Sequence, residues 1–84
     1  METIHLDDFL FDGAIRENQF RKKISNTNWR EYTGKKVLIR GCSEVIVPTW
    51  AFLIITAHLA EYVDRIYFGE LRSAIKIFTK NTSI

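Results

Sequence analysis

The chain has 84 residues, 46% hydrophobic and 13% aromatic, enough for the core of one small domain spanning residues 1–84 and too few for two domains. Its formal charge of +2 does not by itself demand nucleic acid, and its single cysteine excludes an intramolecular disulfide. Met1 is followed by acidic residues instead of a basic then apolar leader, so a cytoplasmic protein is expected, without low-complexity segments or internal repeats.

In chain order, the first dozen residues hold Glu2, Asp7, Asp8 and Asp12 and no Lys or Arg. A strand is expected around Phe9 to Phe11, continued or paired through Ala14-Ile15 across the Asp12-Gly13 turn signal. Arg16 to Ser25 predicts a helix. Phe20 and Ile24 share one face, Glu17 and Arg21 are spaced to pair across a turn, and Arg21, Lys22 and Lys23 gather near the C-terminal end, where the helix dipole favours cations. Ser25 to Asn28 ends it, and Trp29 to Tyr32 predicts a single helical turn or an irregular segment that packs its aromatics onto the next unit.

Lys36 to Glu70 is the centre of the sequence. Val37, Leu38 and Ile39, bounded by Thr33-Gly34-Lys35 and by Gly41, have the pattern of a strand covered on both faces. Pro48 suits the first position of a helix, where a missing N–H costs nothing, and no breaker follows until about Val63. From Pro48 to Val63 only Thr49, Thr56, His58 and Glu61 are polar, so this helix is expected to be buried on more than one side. Its uncharged run is shorter than the ~18–20 residues that cross a bilayer, and no membrane span is expected. Arg65 to Phe68 predicts a second strand, parallel to the first through a right-handed crossover. Leu71, Ala74, Ile75 and Phe78 have helical spacing, so Leu71 to Lys80 is expected as a last helix, with Asn81 to Ile84 frayed. The fold class is α/β, a small layered fold with a mostly parallel sheet built around one βαβ unit, Lys36 to Glu70.

Candidate chemistry gathers in the Cys42 to Trp50 loop. Cys42 and Ser43 lie past the carboxyl end of a predicted parallel strand, the edge at which open α/β sheets bind ligands, and N–H groups near Thr49 and Trp50 suit an anion. Cys42, Ser43, Thr49 and Trp50 are the candidate ligand-binding residues, and Cys42 the candidate catalytic one. The competing readings are an inert buried thiol and hydroxyls that cap or brace turns. No glycine-rich phosphate fingerprint accompanies them. His58 and Glu61 are neighbours on the helix, but His58 lies about 15 Å along it from Pro48, too far to serve Cys42. A structural or interfacial histidine is the reading adopted. One cysteine and the scattered His5 and His58 argue against a metal site, and no cofactor is expected. Arg16, Arg21, Lys22, Lys23, Arg30, Lys35 and Lys36, with Trp29 and Tyr32 among them, read as a solvated basic face more readily than as a nucleic-acid surface.

Leu10-Phe11-Asp12-Gly13, Phe20-Arg21, Trp29 to Lys35, Cys42-Ser43, Val47-Pro48-Thr49-Trp50-Ala51 and Phe68-Gly69-Glu70 give the chain a pattern: W-x-x-Y-x-G-K, then C-S, then I-V-P-T-W-A, then F-G-[DE]. In these residues it resembles an uncharacterised bacterial family, a domain of unknown function. The resemblance implies a protein usually duplicated in tandem, with this chain matching the first half, and carries no activity or catalytic residue with it. Together with the need of the apolar Pro48 to Val63 helix for cover, it leads to the expectation that a homodimer through that helix stands in for the second half. The expected function is a self-associating cytoplasmic α/β protein that binds a small anionic ligand at the Cys42 to Trp50 loop. The alternatives are a thiol-dependent enzyme or redox protein using Cys42 and, more weakly, an adaptor for nucleic acid or an acidic partner.

Overall fold

The computed structural model describes residues 1–80, arranged as strands β1 (Glu2–His5), β2 (Lys36–Arg40), β3 (Arg65–Phe68) and β4 (Ile75–Thr79) with helices α1 (Glu17–Asn26) and α2 (Thr49–Leu59). Single 3-10 turns cover Leu6–Phe9, Trp29–Tyr32 and Leu71–Ser73. The strands form one sheet in the order β1-β2-β3-β4. β1, β2 and β3 are parallel, with Ile4 opposite Ile39 and Ile39 opposite Phe68, and β4 runs antiparallel to β3. The β2-α2-β3 segment is the βαβ unit expected from Lys36 to Glu70, and the whole is a small α/β fold with a mostly parallel sheet.

One core cluster joins Ile4, Val37, Ile39 and Ile66 of the sheet to Phe20 and Ile24 of α1 and to Ala51, Ile55 and Leu59 of α2. Both helices therefore lie on the same face of the sheet. Phe20 is fully buried and sits between two other rings, 5.3 Å from Phe9 and 5.5 Å edge-on from Trp50. It ties the first 3-10 turn, α1 and α2 together. Trp29 closes the far end of this layer, donating from Nε1 to the Ile24 carbonyl at 3.0 Å and stacking on His58 at 5.6 Å. Leu38 alternates to the opposite face, outside the cluster, yet is also fully buried, flanked in register by Thr3 and Tyr67.

Several expected elements are corrected. The first strand is Glu2–His5, not Phe9 to Phe11: Phe9 ends a 3-10 turn with its ring in the core, and Phe11 makes only an isolated antiparallel bridge to Ala14. That bridge spans Asp12 and Gly13, whose φ values of 52° and 74° are both positive, as a two-residue hairpin turn requires. Pro48 lies just outside α2 in extended conformation (φ −60°, ψ 142°), so the helix starts at Thr49. It stops at Leu59, short of Val63, because the chain tightens there: Glu61 N–H reaches back only to the His58 carbonyl and Tyr62 N–H to that of Leu59. Val63 then drops into the core on the way to β3. The segment after Gly69 is not a helix but a 3-10 turn and β4. Ile75, Ile77 and Thr79 are β-branched and alternate with Lys76 and Phe78, and an open edge of β3 is available for pairing, so tertiary context overrides the helical spacing. The tail Asn81 to Ile84 lies outside the described residues.

Phe20→Ala is expected to cost about 3–5 kcal/mol, a large share of the roughly 4–12 kcal/mol that a chain of this length holds, as measured by urea unfolding. Tyr32 titrates above the ordinary phenol value of 10.0 because burial disfavours its phenolate, with Glu31 and then Glu2 adding repulsion. Between the unfolded value and this raised one, the folded chain keeps a proton that the unfolded chain has lost, so stability falls as pH rises through that window. Tyr32→Phe should flatten the fall in urea midpoint between about pH 9 and about pH 11.

Candidate functional site

Three parallel strands bring three carboxyl ends to one edge of the sheet, and a group of polar side chains meets there. His5 is the last residue of β1 and Arg40 the last of β2, and the two are partners in register. Because Ile4 and Ile39 point toward the helices, His5 and Arg40 alternate to the helix-free face. β3 ends at Phe68, and Gly69 turns the chain with φ +122°, its N–H donating to the Ile39 carbonyl at 3.1 Å. A side chain at that φ is strained, which explains the glycine. The turn delivers Glu70, whose carboxylate pairs with the Arg40 guanidinium. Asp7 comes from the 3-10 turn after β1.

His5, Asp7, Arg40, Gly41, Cys42, Ser43 and Glu70 line one cavity of about 310 Å³. The Gly41 to Ser43 segment is a shared wall, because on its other side it lines a shallower recess of about 430 Å³ with Glu44 to Val47 and Phe52. Open α/β sheets hold ligands at this edge. The arrangement combines a guanidinium, two carboxylates, an imidazole, a thiol and a hydroxyl. Among the described residues no group of three or more His, Cys, Asp or Glu is placed to hold a metal ion. A second recess of about 290 Å³, which shares His5 with the cavity, runs beside β1 over Phe9, Trp29 and Tyr32, and its Lys23 is engaged by the Asp8 carbonyl and the Phe9 ring.

The structure divides the four ligand-binding residues expected from sequence into two pairs. Cys42 and Ser43 line the cavity. Thr49 stands exposed at the start of α2, and Trp50 packs edge-on against Phe20, turned toward α1. His58 stacks on Trp29 at the other end of α2, whereas the histidine sharing a cavity with Cys42 is His5. Sequence reasoning also passed over Asp7, Arg40 and Glu70. The available signal was positional: once Thr3-Ile4-His5 is read as a strand with Ile4 inward, His5 and Arg40 become strand-end neighbours. Of the basic series, Arg21 pairs with Glu17 at 2.9 Å and Lys35 lies 3.7 Å from Glu2, both at the surface. No helix among the described residues is long and apolar enough to cross a membrane.

The family model described as "Protein of unknown function (DUF2480)" matches residues 1–83, and the chain belongs to that family. No curated protein and no solved structure matches it.

Cys42 is half-buried on the cavity wall. Ellman's reagent is expected to titrate one thiol per folded chain, whereas a thiol that reacts only after denaturant is added would show this wall closed to solvent. Cys42→Ser should change the unfolding free energy by less than about 1 kcal/mol.

Proposed function

We propose that this protein is a non-catalytic cytoplasmic binding module that works as a homodimer through the outer face of α2 and takes a small anionic group at the Cys42 to Trp50 loop, next to Arg40. The observation that carries the reading is the outer face of α2. Thr49, Leu53 and Ala57 recur every four residues on its solvent side, with Leu53 63% exposed, and Ile46 in the preceding loop is 94% exposed. No charged residue occurs from Val45 to Ala60, so nothing on this face addresses a charged partner.

A second copy is the occupant that fits. The stripe alternates small, large and small, and two such i±4 ridges pack at about −50°, each in the groove beside the other, with the small Thr49 and Ala57 letting the helices approach around Leu53. A two-fold axis supplies the matching surface automatically. A stable interface covers about 800 Å² per partner, and an eleven-residue helix is only about 16 Å long, so half-buried Trp50 and Ile54 and the Ile46 loop join the contact. The thiol-enzyme reading has one observation in its favour, the shared cavity of Cys42 and His5. An activated thiolate would react with alkylating agents well below the ordinary cysteine pKa of about 8.5.

Light scattering on the purified chain at micromolar concentration is expected to give twice the chain mass, and Leu53→Lys to give the single chain mass with the fold intact. Replacing an exposed residue costs the monomer no more than about 0.5 kcal/mol. A wild-type monomer across that range removes the association.

A further inference from the structure

The wall of the carboxyl-edge cavity carries one fixed cation and two carboxylates. Arg40 contributes +1, Asp7 and Glu70 contribute −2, and with neutral His5 the sum is −1. A ligand that is only an anion would meet a cation already paired with Glu70 and a repelling Asp7. A ligand that is only a cation would be drawn to the carboxylates but held beside a guanidinium. A ligand with both charges a few ångströms apart satisfies the whole wall.

The hydrogen-bonding capacity of the wall agrees. Arg40 uses Nη2 for Glu70 and keeps its other N–H donors, and a guanidinium recognises a carboxylate best with two parallel donors. Glu70 accepts through one oxygen and has the other available. No hydrogen bond or ion pair among the described residues engages the Asp7 carboxylate or the His5 imidazole. An ammonium group has three donors and no acceptor, and the two carboxylates are the acceptors on this wall that also carry the opposite charge. The volume of about 310 Å³ is at the low end for small-molecule sites, so the ligand is small.

We infer that the cavity binds a zwitterion of the α-amino-acid type, its carboxylate on Arg40 with help from Ser43 or His5, and its ammonium on Asp7 and Glu70. This rests on the reading of the cavity as a binding site and narrows the ligand from an anion to a group of opposite charges.

Three probes share one methyl side chain and carry different charges: L-alanine with both, N-acetyl-L-alanine with the carboxylate alone, and L-alaninamide with the ammonium alone. Each is titrated to millimolar concentration into the uniformly ¹⁵N-labelled full chain, and the amide signals of His5, Asp7 and Gly41 to Ser43 are followed. L-alanine is expected to shift them with about tenfold higher affinity than either other probe. Asp7→Asn should bring L-alanine to the level of N-acetyl-L-alanine without weakening the latter, and Arg40→Met should weaken both carboxylate probes. The same spectra show whether each variant is folded; Asp7 is exposed and Arg40 half-buried. Equal binding of L-alanine and N-acetyl-L-alanine overturns the zwitterion while leaving the anionic reading in place. Tightest binding of L-alaninamide, or no shift with any probe, overturns both.

Discussion

β2 is paired on both sides by parallel strands, and that constraint determines most of the molecule. A parallel neighbour is reached only through a crossover, so one helical connection precedes β2 and another follows it. The crossovers step the same way along the sheet, and a common hand sends them over the same face. The shared cluster of Phe20, Ile24, Ala51, Ile55 and Leu59 is the result. It leaves a sheet with an apolar side under two helices and a side with no helix among the described residues. Parallel sheets are ordinarily covered on both sides, and Leu38 shows how this one manages without: it is fully buried on the helix-free face, flanked in register by Thr3 and Tyr67.

The same topology separates the two surfaces proposed to act. His5 and Arg40 end their strands on the helix-free face, and the loop leaving β2 carries Cys42 and Ser43 to them. α2 lies across the other face, with Ala51, Ile55 and Leu59 inward and Thr49, Leu53 and Ala57 outward. An interface on the outer stripe of α2 therefore leaves the carboxyl-edge cavity open. The Gly41 to Pro48 loop is the link between them, because its first half lines the cavity and its Ile46 stands beside the stripe.

The βαβ unit was legible because its signals are local and agree. Val37-Leu38-Ile39 reads as an interior strand, Pro48 marks a helix start within one residue, and Arg65 to Phe68 closes the unit. α1 was equally plain from Phe20 and Ile24. The failures fall at the sheet edges, where local pattern is weakest. β1 is four residues long with one fully inward position, Ile4, so the denser apolar run Phe9 to Phe11 drew the assignment. In β4 the spacing of Leu71, Ala74, Ile75 and Phe78 fits a helix and the alternation from Ile75 to Thr79 fits a strand. Only the open edge of β3, a fact of tertiary structure, decides between them. Half of the cavity followed from reading a ligand edge after β2, but His5 and Asp7 depended on placing β1 correctly, and the importance of Arg40 depended on seeing what it faces.

β4 offers another route to self-association, since an edge strand with Ile75 64% and Ile77 48% exposed is a template for pairing with a second chain. Its construction opposes that route. The ladder to β3 is broken by a register shift between Ile66 and Tyr67, and such irregularities twist an edge out of line with a flat partner. Lys76 places a charge in the middle of the strand, and two antiparallel copies would bring these lysines close together. Lys80 is tied back to the Glu61 carbonyl at 2.7 Å, which holds the end of the strand against the exit from α2. The outer stripe of α2 has no comparable device, neither charge nor irregularity. A sequence that guards one apolar surface and leaves another unguarded favours contact at the second, which is why the proposed dimer uses α2 and not the sheet edge.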